Sequence, residues 1–116
     1  MADAAAMLKV KSIIEADENR RYVVVSAPGK RNKSDTKITD LLYKCNKEAV
    51  ECGDCEKSYS IIRERFMGIV NDLKLDLDIA SVLEKTKQEI NSRRCEDFAA
   101  SRGEYLSSVV MAKLLG

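Results

Sequence analysis

The sequence predicts an α/β chain that is mostly helical, with about five helices and one buried strand near residues 22–26. Two observations lead there. Apolar residues recur at helical spacing through five separate stretches, and one β-branched run, Tyr22-Val23-Val24-Val25, shows no polar alternation. A continuous apolar run of that kind suits a strand covered on both faces, as in a parallel sheet.

Asp3 is placed to cap the first helix, since a carboxylate accepts the free N–H groups of the next turn. Met7, Val10 and Ile14, with Ile13 beside them, form its apolar face. Asp17-Glu18-Asn19 breaks the pattern, the strand follows, and Pro28-Gly29 stops it. Ser34 or Asp35 is the expected cap of the second helix, which buries Ile38, Leu41, Leu42, Cys45 and Ala49 and ends at Gly53. A third helix starting at Asp54 buries Ile61, Ile62, Phe66, Ile69, Val70 and Leu73. Leu75, Leu77, Ile79, Val82 and Leu83 lead into a fourth that runs through Ile90. The fifth starts near Asp97 and uses Phe98, Leu106, Val109, Val110 and Leu114. The charged stretch from Lys85 to Arg94 reads as a solvated face.

The chain has 116 residues, which bounds it to one domain, 1–116. Its 45% apolar and 34% charged residues describe a globular chain rather than a disordered one. With 20 basic against 19 acidic residues there is no global argument for nucleic acid or for an anionic membrane. No apolar run is long enough to span a bilayer, and the first residues do not form a signal peptide. A cytoplasmic protein is therefore expected. Histidine is absent, which removes Ser-His and Cys-His nucleophile pairs and imidazole metal ligands. With no Trp and only two Phe and four Tyr, stacking platforms for single-stranded nucleic acid lack material.

A lone buried strand must find a pairing partner for its backbone groups. No second run in the chain offers one, so the chain reads as part of a larger α/β sheet, or as one that pairs with another copy. On this reading the isolated chain exposes the edges of the strand Tyr22–Ser26 and associates or is only partly folded.

Three motifs carry candidate chemistry. The turn after the strand runs from Ser26 to Asp40, with Lys30, Arg31, Lys33 and Lys37 set against Asp35. Ligands of open α/β sheets sit beyond the carboxyl ends of strands, and helix N-termini suit anions. A solvated basic loop is the plain alternative. It is not a Walker A loop, because Arg31 follows Gly29-Lys30 and position 24 is Val. The second motif is Ala100-Ser-Arg-Gly-Glu-Tyr-Leu-Ser107, where Gly103 in a helical pattern suggests a close approach to the backbone. Glu104 beside it suits a ligand ammonium, or is an ordinary surface glutamate. The third is Cys52-Gly-Asp-Cys55, with Cys45 and Cys95 apart from it. One C-x-x-C without His falls short of a structural zinc site, and no βαβ pattern surrounds it as a thioredoxin-type site requires. Incidental, reduced cysteines are expected, and chelators and reductants should leave the fold unchanged.

VVVSAPGKRNKSDTKITDLL (Val23 to Leu42), ASRGEYLS (Ala100 to Ser107) and the intervening IRERFMGIVNDL (Ile62 to Leu73) resemble the aspartate kinases of the amino-acid-kinase family. The nearest type has an extended Gly-Lys-Arg loop after the strand. The resemblance covers essentially the whole chain. It implies a piece of an αβα sandwich and transfer of the ATP γ-phosphoryl group to the β-carboxylate of L-aspartate. That reaction opens the route to lysine, threonine and methionine. By the resemblance, Thr39 contacts substrate, Glu104 holds the aspartate amino group, and Ser26 lines the same pocket. Mg-ATP is the implied cofactor of the complete enzyme, and a homo-oligomer is compatible with it.

The family's opening strand and Lys-Phe-Gly-Gly turn, its downstream glycine-rich motif, its nucleotide pocket and its ACT domains have no counterpart in these residues. The expectation is a fragment with no catalytic, cofactor or metal residues of its own, inactive when isolated. An in-frame extension upstream of Met1 is expected to encode the missing turn. A non-enzymatic helical binding or self-association module, or a C-x-x-C thiol or metal protein, remains as the alternative.

Overall fold

A computed structural model describes residues 3–16 and 37–115. Among them are five helices: α1 (Ala4–Glu15), α2 (Ile38–Cys52), α3 (Glu56–Asp72), α4 (Ile79–Arg93) and α5 (Glu96–Leu115). The expected strand at 22–26, Ser26, the basic loop and the caps Ser34 and Asp35 lie outside the described residues. The described portion is thus all helical, and it holds no strand.

Helix α2 is the hub, packing on α3, α4 and α5, while α1 rests on α3 and α5. The reason is the stripe Ile38, Leu41, Leu42, Cys45 and Ala49, every member of which is buried. Residues three and four apart share a helix face, so five such positions seal one side of α2 against its neighbours. Gly53 ends the helix at φ 81, a left-handed conformation that costs glycine little, and its N–H bonds to the Ala49 carbonyl at 3.0 Å. At the other end the structure places Lys37 at the cap position, without a side-chain bond.

Asp3 caps α1 as the sequence indicates, accepting from the Ala6 N–H at 2.9 Å. Ile13, however, is largely exposed, and Met7 carries the contact of α1 with the core. In α3 the expected Ile62, Phe66, Ile69 and Val70 are buried and Leu73 packs against the core, but Ile61 does not join them. Ile61 is 49% exposed, and Tyr59 takes its place in the core. A tyrosine ring is a large apolar body whose hydroxyl still needs a partner when buried. Here the Tyr59 hydroxyl donates to the Leu83 carbonyl of α4 at 2.6 Å. Tyr59→Phe is expected to lower stability by about 1 kcal/mol, read as a shifted urea midpoint with unchanged slope.

The start of α3 is capped by other segments rather than by Asp54. Asn91 of α4 accepts from the Cys55 N–H at 3.1 Å, and Glu48 of α2 accepts from the Ser58 N–H at 3.2 Å and from the Ser58 hydroxyl. Asp54 instead accepts from the Asn91 side-chain amide at 3.0 Å. Helix α4 begins at Ile79, later than Leu75 and Leu77 suggested, because Lys74 turns left-handed at φ 54 and Asp78 caps the new helix at Ser81.

The stretch from Lys85 to Arg94 is not uniformly solvated. Thr86 is buried and donates to the Val82 carbonyl at 2.8 Å. The Lys87 side chain is only 15% exposed, pairing with Glu56 at 2.7 Å and Asp54 at 3.5 Å. Arg63 grips the same Glu56 carboxylate with both terminal nitrogens, at 2.7 and 3.1 Å. Arg63, Lys87 and their charge hold Glu56 down at about 2, against an ordinary 4.5. Between about pH 4.5 and pH 2 the unfolded chain therefore binds a proton that the folded chain does not, so this contribution is lost as the pH falls across that window. Glu56→Gln is expected to flatten the acid-unfolding curve there, with the loss of stability seen at neutral pH and not at pH 2. Circular dichroism against pH checks it; an unchanged slope would show that the cluster contributes nothing.

Candidate functional site

The candidate residues lie on two helices that pack directly on each other. Thr39 is the second residue of α2 and half-buried, set between buried Ile38 and exposed Asp40. Glu104 stands near the middle of α5 and is exposed, between buried Gly103 and exposed Tyr105. The α2–α5 packing, built on Ile38, Leu42, Leu106 and Val110 of the common core, is what gives these two residues a fixed relation. Ser26, the third predicted residue, lies outside the described residues.

Glu104 makes no ion pair or side-chain hydrogen bond among the described residues. Only its main-chain carbonyl is engaged, accepting from the Ser108 hydroxyl at 2.8 Å. The nearby cation is tied up elsewhere. The Arg102 guanidinium lies 4.6 Å from the Phe98 ring centre and 4.7 Å from that of Tyr105. Arg93 approaches the same Phe98 ring at 4.2 Å. The Ser101 hydroxyl donates to the Phe98 carbonyl at 2.6 Å and accepts from Arg102 Nε at 3.2 Å. Residues two apart on a helix point in different directions, so Arg102 held this way leaves the Glu104 carboxylate open to an external cation. This rack was legible in the sequence as Phe98, Arg102 and Tyr105 at i, i+4 and i+7, although the motif was read only through Gly103 and Glu104.

The cysteines divide differently from the C-x-x-C pattern. Cys52 is exposed and Cys55 buried, and Cys55 pairs with Cys45 of α2 in the core. The hydrogen bond between those two thiols raises Cys45 and lowers Cys55. Among the described residues no group of three or more His, Cys, Asp or Glu side chains is placed to hold a metal ion. A groove of about 550 Å³ at the α3–α4 turn, lined by Met67, Leu75, Leu77 and Ile79 among others, includes none of the candidate residues. Among the described residues no helix is long and apolar enough to cross a membrane.

No family model matches the sequence. The chain is 37% identical over 90 residues to aspartokinase 3 of Bacillus subtilis, a match covering 78% of this chain and 19% of that protein. It superposes on the crystal structure of the Clostridium acetobutylicum aspartate kinase with a TM-score of 0.95 at 47% identity. That superposition covers 99% of this chain and 27% of the solved one. The chain thus spans roughly a fifth to a quarter of the proteins it matches.

Proposed function

We propose that this chain, an aspartate kinase segment by sequence and by fold, carries part of the aspartate site of an enzyme that phosphorylates the β-carboxylate of L-aspartate with Mg-ATP. The observation that carries the reading is the unpaired Glu104 carboxylate, held on a helix that packs against the one bearing Thr39. An exposed carboxylate with no cation paired to it among the described residues is suited to an α-ammonium group, and a charge-assisted hydrogen bond gives that contact both strength and direction. The Thr39 hydroxyl, at the start of α2, is suited to donate to a substrate carboxylate where the N-terminal helix dipole also favours negative charge. Ser26 is assigned to the same pocket by the resemblance alone.

Phosphoryl transfer rests on positioning and on electrostatic stabilisation of the group in flight. The residues of this chain supply the first of these, by orienting the acceptor carboxylate. The lysine and the nucleotide pocket that supply the second belong, by the resemblance, to other segments of the enzyme. The isolated chain is therefore expected to be inactive. The segment is read as part of one catalytic domain, in a cytoplasmic enzyme at the head of lysine, threonine and methionine synthesis, and a homo-oligomer fits that reading. The test is to join the chain to its missing segments and measure ATP-dependent formation of aspartyl phosphate, trapped as the hydroxamate. Substitution of Glu104 and Thr39 in that enzyme then tests the site. Formation of no product with L-aspartate, from a folded enzyme that binds ATP, would overturn the reading.

A further inference from the structure

Ser107 is fully buried on α5, and its hydroxyl has no hydrogen-bond partner among the described residues. This is out of keeping with its neighbours. On the same helix Ser101 donates to the Phe98 carbonyl and Ser108 to the Glu104 carbonyl, the usual way for a helical serine to satisfy itself. Leaving a buried hydroxyl unmet is costly, and native structures do so seldom, so each instance calls for an explanation. The side chains within one turn of Ser107 on its own helix are those at 103, 104, 110 and 111, namely Gly, Glu, Val and Met. Only Glu104 among them offers an acceptor, and residues three apart on a helix are neighbours. Two complementary groups, both without a partner among the described residues, thus stand one turn apart: a donor inside the packing and a carboxylate outside it.

We propose that Ser107 is a positioning residue for Glu104, its hydroxyl donating to the Glu104 carboxylate when that side chain turns inward to hold the ammonium group of an amino-acid substrate. A carboxylate has two oxygens and about four lone-pair sites, so one oxygen can face the ammonium while the other accepts from Ser107. Glycine at 103, one turn before Ser107 and also buried, adds no side chain in the way of that movement. The hydroxyl is then unmet only in the substrate-free state, and part of the binding energy comes from satisfying it. The inference rests on the aspartate-site reading of Glu104.

The test uses the complete enzyme and three variants, Ser107→Ala, Ser107→Thr and Glu104→Gln, with L-aspartate and ATP varied independently. Ser107→Ala is expected to raise KM for L-aspartate about fivefold to tenfold, as for loss of one ordinary hydrogen bond. KM for ATP should stay within twofold, and the melting temperature of the substrate-free enzyme should be unchanged or higher, because an unmet hydroxyl has been removed. Ser107→Thr should restore most of the affinity. Combined with Glu104→Gln, Ser107→Ala should add less than twofold, since the two act through one contact. An unchanged KM for aspartate in Ser107→Ala, beside an impaired Glu104→Gln, would overturn the inference and leave the site reading intact. A lowered melting temperature with both KM values raised would also overturn it, by showing a merely structural role. If Glu104→Gln itself binds aspartate normally, the site reading fails, and the inference with it.

Discussion

Glu104→Gln is expected to lower kcat/KM for L-aspartate by about 10- to 150-fold in the complete enzyme. The amide keeps the shape of the side chain and removes its charge, so on the proposed site reading the ionic hydrogen bond to the substrate ammonium loses its carboxylate charge. Such a bond contributes about 1.5–3 kcal/mol, and about 1.4 kcal/mol is tenfold in kcat/KM. The folded state should not notice the change, since Glu104 is exposed and unpaired among the described residues. On the same proposed reading ATP affinity should be unaffected, because a phosphoryl donor approaches from the side opposite its acceptor. Thr39→Val retains the shape and removes one donor, and its loss should be smaller, on the order of 1 kcal/mol. Steady-state kinetics with each substrate varied in turn checks both. Wild-type kcat/KM for aspartate in Glu104→Gln would leave an ordinary helix-surface glutamate.

Phe66→Ala is expected to destabilise the fold by about 3–5 kcal/mol, the range for emptying an aromatic site in a packed core. Phe66 is fully buried in α3 within the same cluster as Tyr59, Ile62 and Leu106. Its removal leaves a void bounded by helices that are tied to one another through α2, so little collapse can fill it. Ile61→Ala is the control. At 49% exposure Ile61 contributes little to the core, and its loss should stay within about 0.5 kcal/mol. Urea denaturation of the two variants beside the parent checks the contrast. Equal shifts in midpoint would show that the buried face of α3 lies elsewhere.

The contrast between Ile61 and Phe66 also shows what periodicity can resolve. The spacing of apolar residues located α3 and most of its buried face, but of two adjacent isoleucines, 61 and 62, both assigned to the core, only Ile62 enters it. Tyr59 enters instead of Ile61, and a tyrosine counts as apolar only once its hydroxyl has a partner. That partner, the Leu83 carbonyl, lies 24 residues further along the chain. Helix α2 was legible in full, because its five buried positions follow one unbroken stripe and a glycine ends it. The first residue of α4 was not legible, because Leu75 and Leu77 continue the apolar pattern through a turn that Lys74 and Asp78 dictate.

The amino-acid sequence by itself determined the five helices, most of their buried faces, the Asp3 cap and the Gly53 stop. It also determined the two motifs that place Thr39 and Glu104 in an aspartate kinase segment, since all of these depend on residues close together in the chain. Tertiary structure alone decided what depends on residues far apart. Asn91 and Glu48, from two other helices, cap the start of α3, Lys87 turns a face read as solvated into an ion cluster, and Cys45 rather than Cys52 meets Cys55. The physical reason is the same in each case. A helix face is set by local spacing, whereas the partner of a buried polar group is whatever the packing of other helices brings within hydrogen-bond reach.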